Sequence, residues 1–286
     1  MLASLPRSPL LRFAYAAYVA LFFVYMALPL AVVAVFAFND SQFPGLPWEG
    51  FTLDWFIGAE QPRLGLINDR RIVAGFFNSA FVAFWVTALS LSVATTTAFL
   101  FDRHDFRFKE FAYIMMLAPL VIPGVILGIS ILVFSSTLAE AVNSLTGYEV
   151  SALRPGLFLV ILGQFSFITT IATLVIAARL RRFDRTLEEA ALNLGASPAV
   201  VFLTITLPWL RPALFGAGIV AFLISFENFN TTLILNGSNA PLTVTMFDRM
   251  REGSTPVLNA VSVTLMVGSG LLGLLGILVQ GRGQKP

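Results

Sequence analysis

The 286-residue sequence has no cysteine and a single histidine, which excludes disulfide bonds, thiol chemistry and a multi-histidine metal site. That histidine, His104, stands in a charged stretch typical of a solvated loop. The two lysines, Lys109 and Lys285, do not follow glycine in the G-x-x-x-x-G-K-S/T pattern of a phosphate-binding loop. No base partner for a serine nucleophile is visible. We therefore expect this chain to be no enzyme and to hold no catalytic residue, cofactor or metal.

Charge is scarce as well. Charged residues make up 12% of the sequence and hydrophobic residues 57%, and the mean hydropathy is +0.83. A soluble domain carries about 25% charged residues. The formal net charge of +2 and the lack of a basic run argue against a nucleic-acid partner. The composition indicates an integral membrane protein.

Six apolar runs are each long enough to cross a bilayer, which takes about 20 residues. They cover approximately residues 13–38, 73–101, 111–136, 155–178, 212–235 and 257–279. The first run is longer than the core of a signal peptide, so we interpret it as an uncleaved transmembrane helix. The predicted fold is an all-α integral membrane protein, with residues 1–286 forming a single domain of six transmembrane helices.

Glycine and proline mark positions inside these runs. In the third run, Pro119, Pro123 and the Gly124-x-x-x-Gly128 pair predict a bent, closely packed helix, with a gate at the bend as the alternative. Four glycines in the last run predict tight packing: Gly268, Gly270, Gly273 and Gly276. In the first long loop, Trp55 is predicted to lie near the lipid headgroups on a short interfacial helix.

Lysine and arginine are divided unevenly between the two sets of connecting segments. One set holds twelve: Arg7, Arg12, Arg103, Arg107, Lys109, Arg179, Arg181, Arg182, Arg185, Arg211, Arg282 and Lys285. The other holds six: Arg63, Arg70, Arg71, Arg154, Arg249 and Arg251. Positive residues accumulate on the cytoplasmic side. We therefore predict that both termini and the segment between the fourth and fifth runs are cytoplasmic.

That polar segment, about residues 179–211, has the pattern of two short helices joined by a hinge. Thr186 and Glu189 have capping-box spacing, and Asp184 is an alternative cap for the same helix. Gly195 stands where a helix ends in a left-handed turn. Ser197 and Pro198 then fit the cap and the first position of a second helix.

The same segment resembles the EAA loop of bacterial ABC-importer permeases. Each fixed position of that motif is filled: Glu189, Ala190, Ala191, Gly195, Ile205, Leu207 and Pro208. The resemblance implies the type I importer (MetI-like) permease fold in the bacterial inner membrane. It also implies that the helix beginning at Ser197 and Pro198 docks on an ATPase subunit, with Glu189 helping to hold the loop. The implied partners are a homologous permease, two ATPase subunits that bind ATP and Mg²⁺, and a periplasmic solute-binding protein.

Other stretches are similar to the second permease subunit of spermidine/putrescine importers. They are Phe36-Ala37-Phe38-Asn39-Asp40-Ser41, the stretch from Trp48 to Phe56, Ser225-Phe226-Glu227-Asn228, and the stretch from Arg251 to Ala260. That subunit often has two adjacent acidic residues where this chain has Glu227-Asn228. The resemblance implies a polyamine substrate, and the departure leaves other amines, amino-acid derivatives and opine-like compounds open.

Glu227 is the one ionisable residue clearly inside a predicted span. Fifteen residues from Pro212 place it about 22 Å along the fifth helix, within hydrocarbon depth. Asn230 and Thr231 are predicted to share its helix face. The three residues either line a path for a cationic amine or fix the packing against another helix.

A secondary transporter that acts alone is the alternative function. Such carriers usually have several intramembrane ionisable groups, and this chain has one. Copurification with an ATPase, compared with uptake by the single subunit in liposomes, separates the two possibilities.

Overall fold

The computed structural model describes residues 9–253 and 255–282. In that part of the chain the backbone is helical, with one isolated antiparallel bridge between Asn39 and Phe51 and no strand. The helices in order are α1 (Pro9–Phe36), α2 (Asp54–Ile57), α3 (Arg70–Arg103), α4 (Lys109–Val121), α5 (Gly124–Thr146), α6 (Leu157–Leu180), α7 (Thr186–Asn193), α8 (Pro198–Val201), α9 (Leu207–Phe226), α10 (Asn230–Leu235), α11 (Leu242–Glu252) and α12 (Val257–Arg282). A 3-10 turn (Ser151–Leu153) precedes α6, and a π-helical turn (Phe202–Thr206) joins α8 to α9.

Six helical stretches are long and apolar enough to cross a membrane, as the sequence predicts. They are Pro9–Phe36, Arg70–Arg103, Gly124–Thr146, Leu157–Leu180, Pro198–Phe226 and Val257–Leu278. The all-α, six-span fold class is thereby confirmed. By contact the chain divides into two compact units, residues 1–70 with 249–267 and residues 71–248 with 268–286.

The first unit contains α1 and a folded loop. None of α1 is buried, which suits a helix surrounded by lipid. In the loop the Asn39 side chain is fully buried and acts as a hub, because its amide donates to the carbonyls of Gly45 and Pro47 (2.9 and 3.1 Å). Trp55 is 2% exposed and its indole N–H donates to the Asn39 carbonyl at 2.8 Å. The predicted short helix is present as α2, and Trp55 packs inside the loop rather than on its surface.

The second unit is built around α6, which contacts α4, α5, α9 and α10. Towards one end of α6, small side chains let the helices approach closely; Ala94 and Ala98 of α3, Ala172 of α6 and Ala217 of α9 are all at most 1% exposed. Towards its other end, larger side chains such as Leu159 and Ile168 pack with Leu235 of α10. This core fixes the α9–α10 connection against the middle of the bundle.

The third span differs from the prediction for residues 111–136. The helix breaks at Ile122, which is extended (φ −77°, ψ 127°) because the ring of Pro123 disfavours helical geometry at the residue before it. The span is α5, Gly124–Thr146, and α4 is a separate shorter helix. Pro119, by contrast, lies within α4 without ending it.

The fifth span also differs from the predicted 212–235. Helix runs from Pro198 through the π-helical turn and α9 to Phe226, so Pro208 and Pro212 lie inside helix. In the π turn the Leu207 N–H bonds the Phe202 carbonyl, five residues back. That wider turn lets the chain continue into a helix whose second residue is proline.

Glycines of α12 do not all have the predicted packing role. A side chain built at Gly268, Gly270 or Gly273 would meet no atom within 4 Å, so these three line an open face of the helix. At Gly276 it would come within 3.0 Å of Ile219 of α9. Within the second unit, only this last glycine of the four lies in close contact with another helix.

Candidate coupling surface and translocation path

The turn between α7 and α8 is fixed by two hydrogen bonds. Gly195 adopts a left-handed conformation (φ +88°), its N–H donates to the Leu192 carbonyl (2.9 Å), and the Ala196 N–H donates to the Ala191 carbonyl (3.1 Å). This pair of bonds is the Schellman ending of a helix, which favours glycine at the left-handed position. The predicted helix end at Gly195 is confirmed.

The start of α8 also agrees with the sequence. Ser197 is extended and its hydroxyl accepts the Val200 N–H at 3.4 Å, and Pro198 follows at the first helical position. The N-terminus of α7 is capped by Asp184 rather than by a Thr186–Glu189 box. The Asp184 carboxylate accepts the backbone N–H and the hydroxyl of Thr186 (3.0 and 2.8 Å). These hydrogen bonds favour the ionised form and lower the pKa of Asp184.

Residues 186–201, which we call the knob, carry an apolar surface that the second unit leaves uncovered. Its exposed leucine and valine side chains are Leu187, Leu192, Leu194 and Val200, and Leu203 follows in the π turn. Leu194, at the tip of the turn, is 89% exposed. A cluster of exposed apolar side chains on a polar inter-span segment is typical of a protein-binding surface.

The motif residues divide between this surface and the root of α9. Glu189, Ala190, Gly195, Ser197 and Pro198 are exposed. Ala191, Ile205, Leu207 and Pro208 are half-buried. The side chain that ties the knob to the bundle is not Glu189 but its neighbour: Glu188 pairs with Arg103. In the described residues the Glu189 carboxylate has no such partner, and its role at the ATPase, which the resemblance implies, stays a prediction.

Glu227 lies where the fifth span breaks. Helix α9 ends at Phe226, Glu227 caps it, and α10 begins at Asn230. The prediction that Asn230 and Thr231 share a helix face with Glu227 is therefore wrong. Glu227 and Asn230 are exposed, whereas Thr231 is fully buried. Within the described ranges the Glu227 carboxylate has no ion-pair partner.

A buried chain of side-chain hydrogen bonds holds this break in place. Gln164 of α6, 1% exposed, donates to the Thr232 hydroxyl at 2.8 Å and accepts from the Ser225 hydroxyl at 2.5 Å. The Thr232 hydroxyl donates in turn to the Asn228 side-chain oxygen at 3.1 Å. We call Gln164, Ser225, Asn228 and Thr232 the Gln164 network. It ties both helices that flank Glu227 to α6, and no local sequence pattern reveals it, since Gln164 is more than 60 residues from the other members.

The depth of the break follows from α6. The Gly156 N–H, at the start of α6, donates to the Leu235 carbonyl at the end of α10 (2.9 Å). Gln164 lies eight residues further along, about 12 Å at 1.5 Å per residue. Since α6 has 24 residues, the break lies well inside the span. An isolated carboxylate facing hydrocarbon at such a depth costs roughly 2.5–3.5 kcal/mol.

The break between α4 and α5 meets the break between α9 and α10. The Thr231 hydroxyl donates to the Gly124 carbonyl at 3.3 Å, and a side chain at Gly124 would come within 3.2 Å of Asn230. Interrupted helices that meet inside a membrane protein are found where backbone lines a cavity or a path for solute. The arrangement places Glu227 at the carbonyl end of α9, the helix end that attracts cations.

Known proteins with similar sequences are transport permeases. The chain is 29% identical to the putrescine transport system permease protein PotI of Escherichia coli over 265 residues, 92% of this chain and 89% of the relative. It is 26% identical to the spermidine/putrescine transport system permease protein PotC of Haemophilus influenzae over 258 residues, 90% of this chain and 92% of the relative.

Solved structures share the fold at low sequence identity. A bacterial ABC transporter involved in the import of the acidic polysaccharide alginate matches with a TM-score of 0.73 at 14% identity, over 96% of this chain and 95% of that chain. The inward-facing MetNI methionine ABC transporter matches with a TM-score of 0.58 at 15% identity, over 79% and 100%. The fold is that of ABC-importer permeases.

The family assignment rests on a family model that matches most of the chain. The model of the family described as "binding-protein-dependent transport system inner membrane component" matches residues 94–282, which include the knob, the Gln164 network and both helix breaks. That range is more than half of the chain. The chain is a multi-pass membrane protein and belongs to the family of binding-protein-dependent transport system inner membrane components.

Proposed function

We propose that this chain is one of two homologous permease subunits that form the pore of an ATP-driven importer for a small organic cation of the putrescine and spermidine class. Two relatives named for those polyamines, matched over nine-tenths of this chain, support the substrate class. The observation that carries the proposal is an exposed carboxylate, Glu227, where two interrupted helices meet inside the bundle.

The proposed orientation has both termini and the knob in the cytoplasm. The excess of lysine and arginine on that side supports it. Each of two ATPase subunits, binding ATP and Mg²⁺, would dock one permease through its knob, with the exposed Leu194 and Val200 entering a groove. A periplasmic solute-binding protein would deliver the substrate at the opposite face. This chain itself would bind neither nucleotide nor metal.

An uninterrupted helix transmits movement of the knob to the helix break at Glu227. Residues 198–226 are helical without interruption, so a displacement of α8 is carried along α9 to its far end. That end holds Ser225, whose hydroxyl bonds Gln164, and then Glu227. Closure of the ATPase dimer would thus move the break, and alternating access follows when this motion opens the path to one side and closes it to the other.

Recognition of the substrate would use charge rather than shape. A diamine carries ammonium groups, and the Glu227 carboxylate at the carbonyl end of α9 attracts them. Asn230, exposed three residues further along the chain, offers an amide oxygen as a further acceptor. Thr231 acts through packing, because its hydroxyl is committed to the Gly124 carbonyl.

An amino-acid derivative or opine-like compound is a second candidate substrate. Asn228 stands where polyamine permeases often have a second acidic residue, and its side-chain oxygen is occupied by Thr232. The break therefore offers a single carboxylate, which also suits a solute with one amine.

The test is uptake by the assembled importer in proteoliposomes, with ATP on the ATPase side and the solute-binding protein on the other. We expect ATP-dependent uptake of labelled putrescine or spermidine. Uptake of only an opine-type compound would overturn the polyamine assignment, and uptake by this chain without an ATPase would overturn the importer role.

A further inference from the structure

Glu188 makes a two-pronged ion pair with an arginine 85 residues earlier in the chain. Its Oε2 lies 2.9 Å from Arg103 Nη1, and its Oε1 accepts from Arg103 Nη2 at 3.2 Å. The side chains are 19% and 17% exposed. Paired N–H···O bonds between a guanidinium and a carboxylate fix orientation as well as distance, and partial burial limits screening by salt.

A third group completes the contact. Thr206, at the end of the π-helical turn and 1% exposed, donates its hydroxyl to Glu188 Oε1 at 2.5 Å. Glu188 therefore joins three elements: the end of α3 through Arg103, the knob through its own helix α7, and the root of α9 through Thr206.

The arginine is held from its other sides as well. Its guanidinium carbon lies 5.7 Å from the centre of the Phe183 ring and 6.0 Å from that of Phe99, within the range of cation–π attraction. Asp102 Oδ2 is 3.5 Å from Arg103 Nε and 2.9 Å from Arg185 Nη2. Because Arg103 and Arg185 share the Asp102 carboxylate, and Arg103 also contacts Phe183, the end of α3 is tied to the loop that precedes α7.

From this geometry we propose that Arg103 and Glu188, with Thr206, are positioning residues that make the end of α3 move together with the knob. Helix α9 follows the knob through the continuous backbone. Helix α3 has no such connection, because Arg103 and Glu188 are 85 residues apart, and it follows only through side-chain contacts. We call the contact of Arg103, Glu188 and Thr206 the clamp. Without it, α3 would be linked to a moving knob only through the Asp102–Arg185 pair and its packing on α6 and α9, and would follow the knob less closely.

The consequence for transport follows from the core. Ala94 and Ala98 of α3 pack with Ala172 of α6 and Ala217 of α9, so these helices can switch as one body only if α3 is driven with α9. The proposal rests on the importer function given above. It predicts that a broken clamp leaves the ATPase docked and hydrolysing ATP, while less substrate is moved for each ATP consumed.

A double-mutant cycle in the assembled, reconstituted complex tests this. The variants are Arg103→Gln, Glu188→Gln and the two combined, with Thr206→Val as a milder variant that keeps the ion pair and removes the third contact. The matched control is Asp105→Asn with Lys109→Gln, a neighbouring pair at 2.8 Å whose Asp105 is 97% exposed. Putrescine uptake, ATP hydrolysis and copurification of the ATPase are measured on the same preparations.

We expect each single glutamine variant to lower the putrescine moved per ATP by about tenfold, and the double variant to lose no more than either single one. Thr206→Val should lose less, and the control pair should match the unsubstituted complex. Unchanged transport per ATP in both single variants would overturn the clamp, as would losses that multiply in the double variant or loss of the ATPase from the complex. Failure of the unsubstituted complex to take up substrate would instead count against the importer function.

Discussion

The Thr231 hydroxyl donates a hydrogen bond to the Gly124 carbonyl, 3.3 Å away, and thereby joins the two helix breaks of the second unit. Thr231 belongs to the short helix that follows Glu227, and Gly124 begins α5 directly after the break at Pro123. A displacement at the break between α4 and α5 is therefore transmitted to the break between α9 and α10, and the reverse. The exposed Glu227 carboxylate lies in the short segment between α9 and α10.

The orientation of the knob can be tested by labelling, because the natural chain has no cysteine. Ser197 and Asn143 are both exposed, one at the start of α8 and the other near the end of α5. In intact spheroplasts we expect a membrane-impermeant maleimide to label Asn143→Cys and not Ser197→Cys. Labelling of Ser197→Cys before the membrane is opened would reverse the assigned orientation.

The turn of the knob depends on Gly195. At φ +88° a residue with a Cβ is strained by roughly 1–2 kcal/mol, although a side chain there would touch nothing within 4 Å. Gly195→Val should therefore lower uptake several-fold through backbone strain alone, and Gly195→Asn should lower it less. Gly147→Val is a matched control, since Gly147 ends α5 in the same conformation (φ +72°) with equal free space. Equal uptake by the Gly195→Val and Gly147→Val complexes would contradict a specific role for the knob.

The Gln164 network should be a large local contributor to stability. Gln164→Leu leaves the Ser225 and Thr232 hydroxyls without their α6 partner, at a cost of about 1–3 kcal/mol for each buried group. We expect a clear fall in the thermal unfolding temperature of the purified protein in detergent. Ser166→Ala, which removes only a bond within α6, should change the temperature little. An unchanged unfolding temperature for Gln164→Leu would show that the network does not hold the break.

The cap of α7 should weaken in acid. Asp184 has a lowered pKa because Thr186 donates two hydrogen bonds to its carboxylate, so its contribution to the helix is present at neutral pH and is lost as the pH falls through that lowered pKa. Hydrogen exchange at the Thr186 amide, corrected for the intrinsic rate, should accelerate in that acid range and in Asp184→Ala at all pH values. Asp184→Asn, which still accepts hydrogen bonds, should remove the acid dependence. Acid acceleration that persists in Asp184→Asn would assign it to another group.

Features set by neighbouring residues could be predicted from the sequence. Features set by contacts between residues far apart in the sequence could not. Hydropathy identifies six spans, and the left-handed glycine and the Ser197 cap follow from neighbouring residues. The effect of each proline does not follow from its neighbours alone, because Pro123 lies just after the end of a helix whereas Pro208 lies inside one. The difference arises from the π-helical turn before Pro208, which the sequence does not reveal.

The candidate site likewise combines one feature that the sequence reveals with others that it does not. The sequence marks Glu227 as an unusual charge inside a span, which is a property of one residue. It does not reveal that the helix ends there, because the break is held by Gln164, more than 60 residues away in sequence. The Arg103–Glu188 pair is hidden for the same reason, and the motif directs attention to Glu189 instead.

The proposed path for a cation depends on the negative charge at the helix break, and Glu227→Gln removes that charge alone. Glutamine keeps the size and most hydrogen bonding of the side chain and removes only the negative charge. The matched control is Glu140→Gln, which neutralises an exposed carboxylate of α5 away from the break. Both variants should assemble with the ATPase in normal amounts.

The most direct measurement is ATP-driven uptake of labelled putrescine by the reconstituted Glu227→Gln complex as a function of putrescine concentration. We expect uptake reduced by about tenfold or more, because one charge–charge attraction at the helix break is lost, while the Glu140→Gln complex transports normally. Uptake by the Glu227→Gln complex at the rate of the unsubstituted complex would contradict a path for a cation at Glu227.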